Sequence, residues 1–436
     1  MKPAKPLAID GSVGEGGGQL VRSACALAAV TSQPIRIIKI RENRDRGKGL
    51  KSQHVTAIQW LAKVTDAEVD GLEVGSRTVE FRPRTPPTAL KERKVVIVPE
   101  SPGASALLIF QAVFPFLLYA GNENGDPIEL EIHGSTNPSF SPSYEYLDQV
   151  FLPTLEQRFG IVVERRLEKR AWTTGPLSRG AIWLKFQPIS PGETLKLVKP
   201  WDHYKYDRSV NKDLPLTHID ISILVPATLR DLLVTQLQER IDLELLGTEV
   251  NFTVSEDSGH NARMYVLAVA HSEKGLRWGR DFLYDRSSKN KQASRLAKEI
   301  AYEVVRRLLN QIVVDTAAVD EYLQDQLVVF QALAGGRTAY WSRATERLNT
   351  EPEAVDDIDK LTQGMQDLHM GYRMRKDKTH EPFGFGTTHA ITARWVTCEL
   401  LPTAKWFNNG TICEGAGVSI QLPKSTSTED EANNNF

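Results

Sequence analysis

Cysteine is scarce: Cys25, Cys398 and Cys413 are the only three in 436 residues, and they share no metal-ligand spacing. Three thiols cannot all pair, so the expectation is reduced thiols in an intracellular protein, not a disulfide framework or a zinc module. Long apolar runs are missing as well; nothing reaches the roughly 18 residues that a bilayer-crossing helix needs. The opening MKPAKPLAIDGS lacks the apolar core of a secretory leader. The third absence is an excess of charge: 53 Lys and Arg against 55 Asp and Glu leave a formal net charge of −2. Proteins that coat nucleic acid depend on many phosphate contacts, and no global positive field is available here for them. An enzyme that grips only a chain end remains compatible. No membrane partner is expected, and the reading for location is nucleus or cytoplasm. KERK (91–94) is too short to decide between them.

What is present is ordinary globular composition, 41% hydrophobic and 25% charged, in a chain long enough for two or three domains. LAID (7–10) reads as a strand broken by GSVGEGGGQ, and QLVRSACALAAVT as a buried helix. PIRIIKIR (34–41) alternates as a strand should, and SQHVTAIQWLAKVT is a helix that opens on Ser52. A like pattern returns in KVVIVP, SPGAS, the apolar helix ALLIFQAVFPFLLYAG, IELEIHG and SYEYLDQVFLPTLEQRFG. Strand–loop–helix units at this spacing predict an α/β architecture built from similar modules. Around 188–280 the texture becomes polar and proline-broken, which reads as a small domain inserted into a large one of 1–187 and 281–436. SRLAKEIAYEVVRRLLNQI is then expected to resume the large domain as an amphipathic helix. Residues 343–382, with Glu351, Glu353, Asp356, Asp357 and Asp359, read as a charged insertion, and 424–436 as a disordered tail.

The glycine loop brings bare backbone amides to a helix N-terminus, a common way to hold phosphate. It is not a Walker loop, because no Lys-Ser or Lys-Thr follows, and Gly14 and Gly16 do not continue into the dinucleotide register. Glu15 lies in the loop, and Gln19 and Arg22 share one helix face three residues apart. A carboxylate beside a phosphate cradle makes sense when a divalent cation bridges them. The plainer alternative is a turn that needs positive φ at its glycines, with Arg22 as a solvated charge.

DGSVGEGGGQLVR resembles the opening signature of the RNA 3′-terminal phosphate cyclases. IRENRDRGKGLKSQHVTA resembles that family's arginine-rich turn and Gln-His helix, EYLQDQLVVFQALAGG (321–336) its nucleotide-binding helix, TTHAITARWVTCELLPTAKW its histidine segment and ICEGAGV its closing strand. The resemblance implies an α/β fold of the α+β type: repeated units of two helices on a four-stranded sheet, with a small inserted α/β domain. It implies ATP and a divalent cation, magnesium or manganese, and RNA 3′-phosphate ends as the partner, with no preference for DNA. By the family's chemistry a histidine takes AMP from ATP, passes it to the RNA 3′-phosphate, and the 2′-OH closes the ring and expels AMP. His389, in THAIT, matches the nucleophile. Gln111, Tyr322, Leu323, Gln324, Asp325 and Gln326 match the ATP contacts. Arg22, Arg41, Arg44 and Gln53 are candidates for triphosphate and RNA phosphate, and Glu15 for the metal. His54 is a plausible helix residue near the site. Of the nine histidines, His133, His203, His218, His260, His271, His369 and His380 carry no supporting motif and read as structural or surface residues.

Three departures bear on the RNA-binding surface. GKGL replaces a Pro-Gly turn before the Gln-His helix, TTGPLSRGAIWLK separates Gly175 from Gly180 where the family has consecutive glycines, and the stretch from Asp325 to His389 is long. The fold also has a non-catalytic, cyclase-like branch that serves ribosome assembly and lacks the nucleophilic histidine, and this stands as the alternative function.

Overall fold

The computed structural model describes residues 5–44, 47–199, 216–286, 291–314, 317–340, 383–384 and 386–423. The charged insertion and the tail expected at 343–382 and 424–436 lie outside the described residues, as do His203, His369 and His380.

The first unit runs β1 (Leu7–Asp10), α1 (Gly18–Thr31), β2 (Ile35–Ile38), α2 (Ser52–Val64), β3 (Glu68–Asp70) and β4 (Val79–Arg82). Its strands lie in the order β1-β2-β4-β3, with β1 and β2 parallel and the other pairs antiparallel. The second unit repeats this: β5 (Lys94–Ile97), α3 (Ala106–Leu118), β6 (Ile128–Gly134), the helical run α4 (144–159), β7 (Val163–Lys169) and β8 (Gly180–Phe186), in the order β5-β6-β8-β7. Alternation decides the faces: along IELEIHG every second side chain, from Ile128 through Leu130 and Ile132, is buried against the helices. Within α4, Leu147–Phe151 widens into a π-turn just before Pro153. Proline has no N–H to return to the carbonyl four residues earlier, so that turn loosens.

A smaller unit follows: β9 (Leu216–Val225), α5 (Ala227–Glu244), β10 (Glu249–Asp257), β11 (Tyr265–Ser272), β12 (Arg277–Leu283) and α6 (Ala293–Leu309). Its sheet has the order β10-β9-β11-β12. Helix α6 buries Leu296, Ile300, Val304 and Leu308, a stripe of helical period, against α5, β11 and β12. The sequence reading closed this unit at 280 and returned that helix to the large domain. The apolar stripe instead finds its partner in the small sheet, so the small unit holds the chain through Leu309.

The third large-domain unit comprises α7 (Glu321–Leu333), β13 (Gly335–Ala339), α8 (Thr388–Leu400), β14 (Lys405–Phe407) and β15 (Ile412–Ala416). Its strands run β13-β15-β14, and Lys196 bridges Gly335 in parallel where the other sheets have their first strand. The small unit is thus spliced between the opening extended segment and the first helix of the third repeat. Helices α1, α3, α7 and α8 pack on one another in the centre, with the sheets outside. Helix α3 (ALLIFQAVFPFLL) is buried along its whole length except at Gln111. A helix apolar all round belongs in the middle of a core.

Candidate active site

The glycine loop lies against α8. Gly14 has φ +71°, and a Cβ there would come within 2.2 Å of Thr392 Oγ1, so a side chain is excluded on both counts. Thr392 Oγ1 accepts a hydrogen bond from the Glu15 amide at 2.8 Å and donates to the Thr388 carbonyl at 2.7 Å, which fastens the loop to the start of α8. Thr387 caps that helix by accepting from the Ala390 amide at 3.1 Å. His389 sits in the first turn, with Nδ1 3.2 Å from Glu15 Oε2. The Glu15 side chain is only 7% exposed and also ion-pairs with Arg44. Neither Glu15 oxygen has a well-formed hydrogen bond. Burial lowers the pKa of His389 below its ordinary value, with further downward contributions from Arg22 and Arg44. The positive end of the α8 dipole acts in the same direction.

A relay of side chains links the first helices of the three units. Arg22 Nε donates to Gln111 Oε1 at 3.0 Å, and its guanidinium also bonds Gln19. Gln111 Nε2 donates to Gln326 Oε1 at 3.2 Å, and Gln326 Nε2 to the Tyr322 carbonyl at 2.7 Å. Burial pushes the Arg22 guanidinium down to about 10 and the Asp325 carboxyl up to about 6. Arg22 therefore stays cationic at neutral pH, whereas Asp325 titrates just below it. Helix α7 is anchored by Asp320, whose Oδ1 accepts from the amides of Tyr322 at 2.9 Å and Leu323 at 2.8 Å and from Tyr146 Oη at 2.6 Å. Its Oδ2 accepts from the Gly279 amide at 2.8 Å. One buried carboxylate thus ties the second unit, the small unit and α7 together. Nothing in the linear pattern marked it.

Two clefts meet at this point. One, of about 560 Å³, is lined by Gln111, Tyr322, Asp325 and Gln326, by the Pro138–Pro142 loop after β6, and by Asp281, Arg286 and Arg307 of the small unit. The other, of about 680 Å³, is lined by Glu15, Gln19, Arg41, Arg44, Lys51, Gln53 and His54. Arg22, Leu108, Phe140 and His389 belong to both. The volumes suit ligands of nucleotide size. His54 is buried, with Nδ1 accepting from the Lys51 amide at 3.1 Å and Nε2 left without a partner. Burial holds it well below its ordinary pKa, hence neutral. A Cβ at Gly18 would come within 2.7 Å of that Nε2, so glycine is what lets α1 begin there.

The structure thus gathers Glu15, Arg22, Arg41, Arg44, Gln53, Gln111, Tyr322, Asp325, Gln326 and His389 around two adjoining clefts. It does not bring Leu323 and Gln324 there. Leu323 is 1% exposed in the core, and Gln324 Nε2 donates to Tyr340 Oη at 2.9 Å on another face of α7. Successive helix positions are about 100° apart, so five residues in a row cannot share one face. Lys51, Leu108, Phe140 and the small unit's charged residues were missed by sequence reasoning. Only the proline-flanked string PSFSP hinted at a special loop.

This is neither a Walker nor a dinucleotide-fold site. The class it defines is a repeat-built α/β protein whose polar clefts open where like-placed helices converge. The profile of the RNA 3′-terminal phosphate cyclase family matches residues 13–363, ending before α8. The chain is 32% identical over 331 residues to the RNA 3′-terminal phosphate cyclase of Pyrococcus furiosus, covering 76% of this chain and 86% of that protein. It is 31% identical over 349 residues to the Thermococcus kodakarensis protein of that name, covering 80% and 91% of the two chains. For the Drosophila melanogaster protein of that name the figures are 28% over 362 residues, covering 83% and 92%. The chain belongs to the RNA 3′-terminal phosphate cyclase family. Among the described residues no helix is long and apolar enough to cross a membrane.

Proposed function

We propose that the protein converts RNA 3′-phosphate ends to 2′,3′-cyclic phosphates with ATP, through AMP carried covalently on His389. The observation that carries this reading is the His389–Glu15 contact at the junction of the two clefts. A carboxylate 3.2 Å from Nδ1 favours the tautomer with the proton on Nδ1, which leaves the lone pair on Nε2 for attack. Nε2 attacks the α-phosphorus of ATP, forming a P–N bond and breaking the bond to the β-phosphate oxygen, and pyrophosphate leaves. An oxygen of the RNA 3′-phosphate then attacks the same phosphorus, and the P–N bond breaks. The 2′-OH attacks the now-activated 3′-phosphorus, loses its proton and displaces AMP. Ring closure requires the 2′-OH, which accounts for RNA over DNA.

The cleft lined by Gln111, Asp325, Gln326, Tyr322 and Phe140 is suited to adenosine. The cleft with Arg41, Arg44 and Lys51 is suited to the RNA terminal phosphate, and Arg22 reaches both. Glu15 fits a divalent cation as a single buried carboxylate once its Arg44 ion pair gives way, a donor set that phosphates and water would complete. Such an ion would neutralise charge on the departing pyrophosphate.

The test is adenylylation with α-labelled ATP and magnesium or manganese, wild type beside His389→Ala. We expect acid-labile, alkali-stable label on the wild type alone. Absence of label on folded, ATP-binding wild type, with and without RNA, would sink the enzyme reading in favour of the non-catalytic ribosome-assembly branch.

A further inference from the structure

Outside the reaction clefts, the described residues hold one group of side chains placed to ligate a metal ion: His218, Asp220 and His271. The sheet of the small unit builds it. Strands β9 and β11 are antiparallel with His271 opposite His218, and Asp220 lies two residues along β9 on the same face. The intervening Ile219 and Ile221 are fully buried on the opposite face. The histidine-bearing face turns toward α4, where Gln149 Nε2 donates to Ser222 Oγ at 2.7 Å.

Asp220 Oδ2 lies 3.0 Å from His271 Nε2 and 3.7 Å from His218 Nε2, and the three ligand atoms all fall within 4.8 Å of one another. A tetrahedral ion with bonds of about 2.0–2.1 Å needs donor–donor separations of about 3.3 Å, which the two observed distances bracket. The surrounding groups orient the donors. The Thr217 hydroxyl donates to the His271 carbonyl at 3.3 Å and lies 2.8 Å from His218 Nδ1, so it accepts the Nδ1 proton and leaves the Nε2 lone pair facing Asp220. Asn251 Nδ2 donates to Asp220 Oδ1 at 3.4 Å, leaving Oδ2 for the centre. His271 Nε2 is buried beside the Asp220 carboxylate, 3.0 Å away but without hydrogen-bond alignment. The two imidazoles are stacked with centroids 4.2 Å apart. With His218 held by Thr217, a shared ion requires the His271 ring to turn about χ2, a soft torsion.

We propose that His218, Asp220 and His271 bind one divalent transition-metal ion of the zinc class at the seam between the small sheet and α4, apart from the reaction clefts. The donor set suits zinc, cobalt or nickel better than magnesium, because two of its three donors are imidazoles. A countervailing charge is present. Arg277 is paired with His271 across β12, and its Nη1 donates at 3.3 Å to the Gln149 carbonyl, the one Pro153 cannot serve within α4. That cation repels a metal ion and makes the site weaker than a permanent structural zinc site. The ion would clamp β9 to β11 and stiffen the seam; it takes no part in phosphoryl transfer, so the proposal stands independently of the proposed function.

The test uses the untagged full-length chain carrying Glu15→Gln, which removes the cleft carboxylate, stripped with chelator and titrated with cobalt(II). We expect one equivalent with visible ligand-field absorption, displaced by zinc, and a higher Tm with metal than without. His271→Gln and Asp220→Asn should each weaken cobalt binding by about 100-fold or more, and Thr217→Val, which alters only the supporting shell, by about tenfold. Lack of saturable binding at millimolar cobalt would overturn the proposal. So would unchanged affinity in the Thr217→Val and His271→Gln variants; Thr217→Val keeps the test readable should the ligand variants fail to fold.

Discussion

Helices α1, α3 and α7 hold the same place in their units, yet each brings different chemistry to the point where they meet. Helix α1 contributes Arg22 and α7 contributes Asp325, while α3, apolar almost throughout, contributes the neutral Gln111 between them. All three residues lie in the second turn of their helices. The repeated backbone thus brings the second turns of three helices together, with opposite charges on two of them and an amide relay on the third. Two buried opposite charges would be costly unless paired or bridged, and Gln111 bridges the cation to Gln326, the neighbour of the acid.

The largest effect should come from breaking the charged end of this comparison. Arg22→Gln keeps a polar side chain but loses the cation, and the rate of adenylylation by ATP should fall about 10²–10³-fold, as for other charge-stabilising groups in a dry site. Burst-phase labelling would measure it, with Tm close to wild type. Next, Gln111→Leu makes α3 wholly apolar. It leaves Arg22 and Gln326 without their shared partner, a penalty of about 1–3 kcal/mol, and should lower Tm and slow adenylylation about tenfold. A rate equal to wild type would show that the relay positions nothing.

The smallest effect concerns the acidic end and is read from stability. Burial raises the Asp325 carboxyl from 3.8 to about 6, so its ionised form is disfavoured in the folded state. Stability associated with this group is fully present below about pH 4 and is lost as pH rises through 6. Asp325→Asn should therefore unfold at higher temperature than wild type at pH 8, by about 1–2 kcal/mol once screening of a partly exposed group is allowed for. The difference should vanish at pH 3.5 and below. A variant equally stable to wild type at both pH values would show that the carboxylate is solvated in the native state.

Much of the site was legible because its parts are local. The glycine loop needs consecutive residues of one kind, and the YLQDQ and THAIT strings carry their resemblance intact. The structure departs from the linear reading where placement depends on direction or partner. Leu323 and Gln324 shared a motif with Tyr322 but not a helix face. Helix α6 showed its apolar stripe plainly, while nothing in that stripe says which sheet will cover it. His218 and His271 face one another across β9 and β11, a neighbourhood that chain order does not reveal. Asp320 was passed over for the same reason: Tyr146 and Gly279 reach it only through packing.

By itself the sequence determined what hydrophobic period and backbone chemistry can specify. That is the strands and helices of the repeated units, the glycine loop at the head of α1, and the residue types for phosphate and nucleotide chemistry. Tertiary structure alone decided that Glu15 lies beside His389, that Arg22, Gln111 and Gln326 join across three units, and that one histidine lines two clefts. The physical reason is range. Periodicity and capping act within a turn or a strand, whereas a hydrogen bond between helices exists only after burial of their apolar faces has set their distance and rotation.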